Sequence, residues 1–233
     1  MAIVFDAAAG VTTAVTATSV SHSHTCTGSN GILFAVGYSN STSGTLTATY
    51  NSVAMSSIVT ASNGIKITLF YLVNPATGAN TLAVNWDGAA TVLRVASASY
   101  TGAAQTGQPD SSTSGTDATS PFRISTTTVA DNSWTIAAFG DNGGSALTVE
   151  AGTTNRAGSG TSTLVLGDSN AAKTPAGSVE LGCTGTSGGV QVIASFSPTP
   201  PTSVKTVNGL ARASVKTVNG LAIASIKTIN GLV

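Results

Sequence analysis

The sequence is poor in charged residues, and this scarcity limits what the protein can bind. Only 8% of its 233 residues are Asp, Glu, Lys or Arg, against about 25% in an average soluble domain. The net charge is zero, so the chain lacks the excess of basic residues with which proteins bind nucleic acid. Nucleic acid is therefore not an expected partner.

Long apolar runs are also missing. No run approaches the roughly 18 apolar residues that a membrane-spanning helix needs. The chain begins with MAIVFDAAAG, in which Asp6 interrupts the apolar start and no basic segment precedes it. We therefore expect no membrane span and no secretion signal, and synthesis in the cytoplasm.

Residues that carry chemistry are few. The two cysteines, Cys26 and Cys183, do not make a disulfide framework and are expected to be free, buried thiols. The sequence contains no nucleophile elbow and no phosphate-binding loop followed by a helix. Glu150 and Glu180 could form a carboxylate pair for glycoside hydrolysis, but no spacing supports it. We expect no enzymatic activity and no cofactor.

What the chain has in abundance is hydroxyl groups and β-branched residues. Ser and Thr number 67, and 41% of the residues are apolar. Val, Ile and Thr recur in about 13 short alternating runs separated by Gly, Asn and Ser, which is typical of β-strands. The pattern predicts an all-β fold, a jelly-roll-like two-sheet β-sandwich.

Three segments give this sandwich its expected organisation. A hairpin is predicted at Gly28–Gly31, and the apolar run at 63–75, NGIKITLFYLVNP, predicts a central strand buried on both faces. Residues 102–120 are predicted to be a polar loop that crosses between the sheets or decorates one end. We do not expect this loop to be a domain boundary, because neither half has enough predicted strands to close alone.

Three parts follow along the chain: a body at 1–196, a Pro-rich spacer at 197–203 and a repeat tail at 204–233. Prolines 198, 200 and 201 favour an extended, semi-rigid spacer. The 11-residue phrase SVKTVNGLARA begins at Ser203 and recurs as SVKTVNGLAIA and SIKTINGLV. Residues 1–202 hold five basic and nine acidic residues, whereas the tail holds four basic residues and no acidic one.

The tail has three possible conformations. Each Asn-Gly can form a type I′ hairpin turn that pairs Val207 with Leu210 and Thr206 with Ala211. Alternatively, each unit is one extended rung laid against identical chains around a threefold axis, or the repeat is helical and forms a right-handed coil. Val, Thr, Asn and Gly are poor helix formers, which disfavours the helix.

Each unit carries too few apolar groups to bury a core of its own, so we expect the tail to anchor the protein to a partner. The residues expected to do so are the apolar and Asn-Gly positions of the three copies: Val204, Val207, Asn208, Gly209, Leu210, Val215, Val218, Asn219, Gly220, Leu221, Ile226, Ile229, Asn230, Gly231 and Leu232.

One other group has the chemistry of a site. His22, His24 and Cys26 alternate along one predicted strand, so their side chains share a face. Imidazole and thiolate are zinc ligands, but no fourth ligand lies nearby in sequence. The alternative is a half-buried face on which both histidines hydrogen-bond to Ser or Thr neighbours.

Four stretches also resemble a known family. In order, VFDAA, SHTCTGSNGILFAVGYS, FYLVNPATGANTLAVNW and ASASYTGAAQTGQP are similar to a β-sandwich domain of tailed-bacteriophage and prophage virion proteins and of some bacterial surface proteins. The tail resembles the short VKTVNGLA-type repeats at the C-termini of phage structural proteins. The resemblance covers nearly the whole chain and implies head-decoration, fibre or tail-associated proteins, with no catalytic residue.

The expected function is therefore that of a non-enzymatic virion structural protein, made in the host cytoplasm and located in the virion. Its expected partners are further copies of itself, with a trimer favoured, and other shell or tail proteins. A carbohydrate-binding adhesin module and the subunit of an extracellular filament are the alternatives. Surface glycans would be the adhesin's partner, with Tyr38, Tyr50 and Tyr100 as candidate residues, whereas Trp86 and Trp134 are expected in the core.

Overall fold

The computed structural model describes residues 1–200 and, in the tail, residues 206–207, 210–211, 217–218 and 221–222. These residues form β-strands and contain no helix, so the all-β prediction is confirmed. Residues 2–199 form one compact unit, whereas Met1 and residues 200–233 belong to a second.

The first half of the body consists of nine strands. They are β1 (Val4–Ala17), β2 (Ser19–Cys26), β3 (Ile32–Ser39), β4 (Leu46–Tyr50), β5 (Val53–Ala54), β6 (Ser56–Asn63), β7 (Ile65–Val73), β8 (Gly78–Trp86) and β9 (Thr91–Thr101). Five form the first inner sheet, in the order β1-β9-β3-β7-β6, and four form the first outer sheet, in the order β2-β8-β4-β5.

The second half repeats this arrangement with eight strands. They are β10 (Ser111–Asp117), β11 (Phe122–Thr127), β12 (Trp134–Asp141), β13 (Thr148–Val149), β14 (Thr154–Ala157), β15 (Leu164–Asp168), β16 (Ser178–Thr184) and β17 (Gly189–Phe196). The second inner sheet has the order β10-β17-β12-β15-β14, and the second outer sheet has the order β11-β16-β13.

Both halves have jelly-roll pairing, in which the first strand lies beside the last and the second beside the next to last. The jelly-roll-like β-sandwich is therefore confirmed, and the body contains it twice, as two pairs of sheets rather than one. The expectation that neither half could close alone is wrong, because in residues 1–200 each half forms a pair of sheets from its own strands. Several short strands were not counted at the sequence level.

The four sheets enclose three apolar cores. One core lies within each jelly roll, between its inner and outer sheet. The largest lies between the two inner sheets, so that strands such as β3 and β17 are buried along their whole length. Phe196 is its aromatic centre, with ring centroids 4.9 Å from both Phe34 and Tyr100.

The inner strands that line this shared core can be aligned between the two jelly rolls, residue for residue. Ile32 pairs with Tyr100 between β3 and β9, and Trp134 pairs with Phe196 at the equivalent place between β12 and β17. The contacts between halves are reciprocal, since β1 packs near β14 and β6 packs near β10. Such reciprocity is that of a two-fold interface, here between two parts of one chain.

The three organising segments have different outcomes. The central strand is confirmed as β7, which is buried on both faces over most of Ile65–Phe70. The hairpin at Gly28–Gly31 is wrong: β2 pairs with β8 and β3 with β7 and β9, because the chain crosses between sheets at that turn. Part of the predicted loop at 102–120 is the edge strand β10, most of whose Ser and Thr side chains are exposed.

A buried ion pair ties the halves together. Asp168 on β15 is fully buried and accepts hydrogen bonds of 2.6 Å from both Arg156 Nε and the Tyr100 hydroxyl. The Arg156 guanidinium in turn lies 3.8 Å from the centroid of the Phe5 ring. Burial raises the pKa of Tyr100 well above its usual value, and the Asp168 carboxylate adds to this effect.

This pair predicts an asymmetry between two conservative substitutions. Asp168→Asn should lower the free energy of unfolding by about 3 to 5 kcal/mol, because it leaves Arg156 buried without a counter-charge. Tyr100→Phe should cost about 1 to 3 kcal/mol, since it removes one hydrogen bond to a charged acceptor. Urea-induced unfolding measures both.

The matched control is Glu150→Gln, which breaks the ion pair between Glu150 and Arg123, whose side chain is 54% exposed. Exposed ion pairs contribute little, so this variant should unfold at the wild-type midpoint. Equal destabilisation by Glu150→Gln and Asp168→Asn would contradict the assigned role of the buried pair.

Candidate functional site

The repeat tail is the first candidate, and two of its copies are described in part. In the first copy β18 (Thr206–Val207) pairs antiparallel with β19 (Leu210–Ala211), Val207 opposite Leu210. In the second copy β20 (Thr217–Val218) pairs in the same register with β21 (Leu221–Ala222). These are the pairings of the hairpin interpretation, with Asn-Gly at the two positions between the strands.

Of the predicted anchoring residues, Val207, Leu210, Val218 and Leu221 lie in these strands. The other eleven, including every such residue of the third copy, lie outside the described residues. The tail pairing therefore supports a short-range β-structure for the two described units and leaves the proposed anchoring as a prediction.

The second candidate is the histidine face of β2, which points into the first jelly roll. Both rings contact hydroxyl groups of the inner sheet. His24 has Nδ1 2.8 Å from Ser97 Oγ and Nε2 3.0 Å from Ser99 Oγ. His22 has Nε2 2.9 Å from the same Ser97 Oγ and Nδ1 3.4 Å from Thr12 Oγ1. This is the arrangement that the interpretation without metal describes.

The network ends on a carboxylate. Asp6 on β1 accepts a 2.7 Å hydrogen bond from the Ser99 hydroxyl, and others from the backbone N–H and hydroxyl of Thr27. Desolvation raises the pKa of Asp6, but the hydrogen bonds from Thr27 and Ser99 outweigh it, so the pKa lies below its usual value. Asp6 is thus an ionised acceptor at neutral pH.

The ionised acceptor at one end fixes the first hydrogen bonds in the row. Ser99 donates to Asp6, so Ser99 Oγ accepts from His24 Nε2–H. When His24 is neutral, its Nδ1 accepts from the Ser97 hydroxyl, so both of its ring nitrogens are used in hydrogen bonds to serine. The partners of His22 include the Ser97 hydroxyl and the Gly10 backbone.

Burial favours the neutral form of both histidine rings. Desolvation lowers the pKa of His24 to about 4, helped by His22 and opposed by Asp6, and it lowers the pKa of His22 as well. The third member of the face, Cys26, is buried, and desolvation raises the pKa of its thiol. A neutral thiol and two occupied imidazoles are poor starting points for a zinc site. In residues 1–200 no group of three or more His, Cys, Asp or Glu is placed to hold a metal ion.

The second jelly roll has a related network without histidine. Ser195, one residue before Phe196 as Ser99 is before Tyr100, donates to the Asp110 carboxylate. Ser111 Oγ lies 2.8 Å from both Ser195 Oγ and Thr126 Oγ1. The Asp–Ser pair is therefore a structural feature of both halves, which favours a structural role for the histidine network.

Glu150 and Glu180 come together on the outer face of the second outer sheet, where both line a shallow pocket with Arg123. Arg123 Nε and Nη2 donate to Glu150 at 2.8 and 3.1 Å. These hydrogen bonds lower the pKa of Glu150. A glycosidase acid needs a raised pKa, so Glu150 is not suited to act as that acid.

The aromatic residues considered for glycan binding are buried. Tyr38, Tyr50 and Tyr100 are at most 3% exposed, and Trp86 is 4% exposed and packs in the first jelly-roll core. Trp134 is partly buried against Tyr100, with ring centroids 5.8 Å apart. The core position expected for Trp86 is confirmed, whereas Trp134 packs only partly buried against the shared core. None of the three tyrosines offers a sugar-stacking face.

Sequence reasoning missed the Tyr100–Asp168–Arg156 cluster. Its members are separated by 12 to 68 residues, and no short motif marks them. The one available signal was that Tyr100 and Asp168 each end an apolar strand run.

Comparisons of the chain with protein-family models, with curated proteins and with solved structures found no match. Among the described residues, no helix is long and apolar enough to cross a membrane.

The histidine network predicts a loss of stability in mild acid. Folded His24 stays neutral down to about pH 4, whereas unfolded histidine binds a proton below about pH 6.5. Acid therefore favours the unfolded chain, and His24 alone should lower the free energy of unfolding by about 3 kcal/mol between pH 7 and pH 4.

Denaturant unfolding across this pH range tests the effect. His24→Asn should be less stable at pH 7 but should lose markedly less stability on acidification. Thr25→Ser, an exposed neighbour on the same strand, should keep the wild-type pH dependence. An unchanged slope in His24→Asn would show that other groups control the acid response.

Zinc content tests the same network independently. Because Ser97 and Ser99 occupy both ring nitrogens of His24, purified protein should contain well under one zinc per chain. Chelator should leave the melting temperature unchanged. Stoichiometric zinc, with a melting temperature that falls on chelation, would contradict the assignment.

Proposed function

We propose that the protein is a non-enzymatic structural component of a phage virion, a capsid decoration or a tail or fibre part. Its body assembles symmetrically, as a trimer, and its C-terminal repeats anchor it to the particle. The observation that carries the proposal is the tail, which repeats one phrase three times. Within each of the two described copies, two short strands pair in the same register.

The energetics of such hairpins support attachment. A two-stranded hairpin is marginal in water by itself, so the tail gains stability by packing against a partner. Three equal units on one spacer bind at a high effective concentration, so weak contacts add up without any single strong one.

Charge supports the same conclusion. The tail holds four basic residues and no acidic one, whereas residues 1–202 hold five basic and nine acidic residues. Opposite charge favours binding of a tail to the body of another copy, and it steers the encounter more than it fixes affinity. Within residues 1–200, four candidate acids and bases make structural hydrogen bonds, as a rigid display module requires. They are His22, His24, Asp6 and Glu150.

Removal of the tail tests the proposal. A chain ending after Pro201 retains the compact unit of residues 2–199 and should unfold at nearly the wild-type temperature. It should assemble and attach poorly, and a chain lacking only residues 225–233 should show an intermediate loss. Sedimentation velocity and incorporation into particles measure both effects.

Two full-length variants separate apolar from electrostatic anchoring. Replacement of Val207, Val218 and Ile229 by Ser keeps the charge and should abolish attachment. Replacement of Lys205, Lys216 and Lys227 by Gln keeps the apolar groups and should weaken attachment mainly at low salt. If the tail-less chain fails to fold, or if it folds and attaches as well as the full chain, the anchoring proposal is wrong.

A further inference from the structure

A pocket of about 220 Å³ opens at one end of the crevice between the two inner sheets. It lies beyond the shared core, where β3 and β9 of the first half meet the loop after β12 and the start of β15. Tyr38, Arg94, Asn142 and Thr163 contribute to its wall. It belongs to the body and is independent of the repeat tail.

The pocket holds a cation that the fold does not require. The Arg94 guanidinium lies 4.7 Å from the centroid of the Tyr38 ring, and the ion pairs of residues 1–200 do not include it. The equivalent positions of the second jelly roll are Val190 for Arg94 and Gly140 for Tyr38, by the register of Ile32 with Tyr100 and Trp134 with Phe196. The same sheet geometry therefore forms with an apolar residue in place of the arginine.

Two asparagines flank this cation. Asn40 and Asn142 line the pocket from equivalent places, since each follows its strand and donates its backbone N–H to a residue at or just before the start of the last strand of its half. Thr163 also lines the pocket, but its hydroxyl is buried and interacts with the Tyr38 hydroxyl, so it does not serve as a donor to a ligand.

The acidic residue that adjoins the pocket loop, Asp141, does not neutralise Arg94. Asp141 is fully buried, and its Oδ1 accepts hydrogen bonds from the Ser187 hydroxyl at 3.1 Å and the Ser145 backbone N–H at 3.2 Å. Its side chain is thus directed to the loops of the second outer sheet, while Gly143 and Gly144 of the intervening turn line the pocket.

We propose that this pocket binds a small oxyanion, a carboxylate or sulfate group. Arginine presents a planar fork of donors suited to such groups, and the side-chain amides of Asn40 and Asn142 can add further donors. The volume is smaller than that of most sites for drug-sized ligands, which fits a single anionic group or the acidic residue of a saccharide. A metal cation is disfavoured, because Arg94 would repel it.

Titration of the full-length protein, followed by ¹H–¹⁵N correlation spectra at constant ionic strength, tests the proposal. The probes are sodium sulfate, acetate and glucuronate, with glucose as the uncharged control. Saturable shifts are expected for the backbone amides of Asn142, Gly143 and Gly144 and for the Asn40 side chain. Tighter binding of glucuronate than of acetate would identify a saccharide-borne carboxylate, and equal binding would identify a free anion.

Matched arginine variants supply the control. Arg94→Gln should weaken binding at least tenfold, and Arg94→Lys should weaken it less, because the charge remains while the fork is lost. Arg123→Gln, on the outer face of the second half, should bind as the wild type does. Shifts that do not saturate with any anion, or equal affinity in Arg94→Gln with an intact spectrum, would overturn the proposal.

Discussion

The packing of the two inner sheets against each other is the constraint on which the rest of the body depends. Each inner sheet is apolar on both faces, since β3 and β17 are buried at every residue. An outer sheet covers one face of each, and only the other inner sheet covers the second. Phe196 of the second half contacts Phe34 and Tyr100 of the first half. Aromatic pairs of this kind each add about 0.5 to 1.5 kcal/mol beyond their buried area. Although each jelly roll closes its own pair of sheets, neither could be exposed to water alone without uncovering this surface.

Within this frame, the protein satisfies buried polar groups mostly with hydroxyls rather than charges. Ser97 and Ser99 sit on the β9 face that carries Leu93 and Val95 further along the strand, so the first core changes from apolar to polar along one strand. A neutral row of hydroxyls and imidazoles that ends on the single carboxylate of Asp6 avoids most of the desolvation that buried ion pairs incur. The Asp168–Arg156 pair is one exception, and it lies where the two halves meet; the fully buried Asp141 is another.

Local patterns in the sequence were sufficient for some of these features and not for others. Alternation predicted the all-β class and the shared inward face of His22 and His24, because side-chain direction follows directly from a period of two. The same alternation could not predict which strands pair, since β2 bonds to β8 more than fifty residues away and pairing depends on the whole topology. The number of sheets was missed for a related reason: a strand buried on both faces signals a covered sheet without indicating what covers it. The candidate site residues show the same limit. Arg94 and Asn142 lie far apart in the sequence, and no motif links them.

The internal two-fold relation separates what packing requires from what it does not. Where both halves carry similar groups, as with Tyr100 and Phe196, packing in the shared core is enough to explain them. Where they differ in charge, packing does not explain the difference: Arg94 occupies the position equivalent to the apolar Val190, so the sheet geometry forms without a cation at this place. The repeat tail has no counterpart after the first half, where the chain continues from Gly102 into the second jelly roll. Duplication thus accounts for the body as a rigid scaffold, and the features that break the two-fold relation, the arginine pocket and the tail, are the places where interactions with other molecules are to be sought.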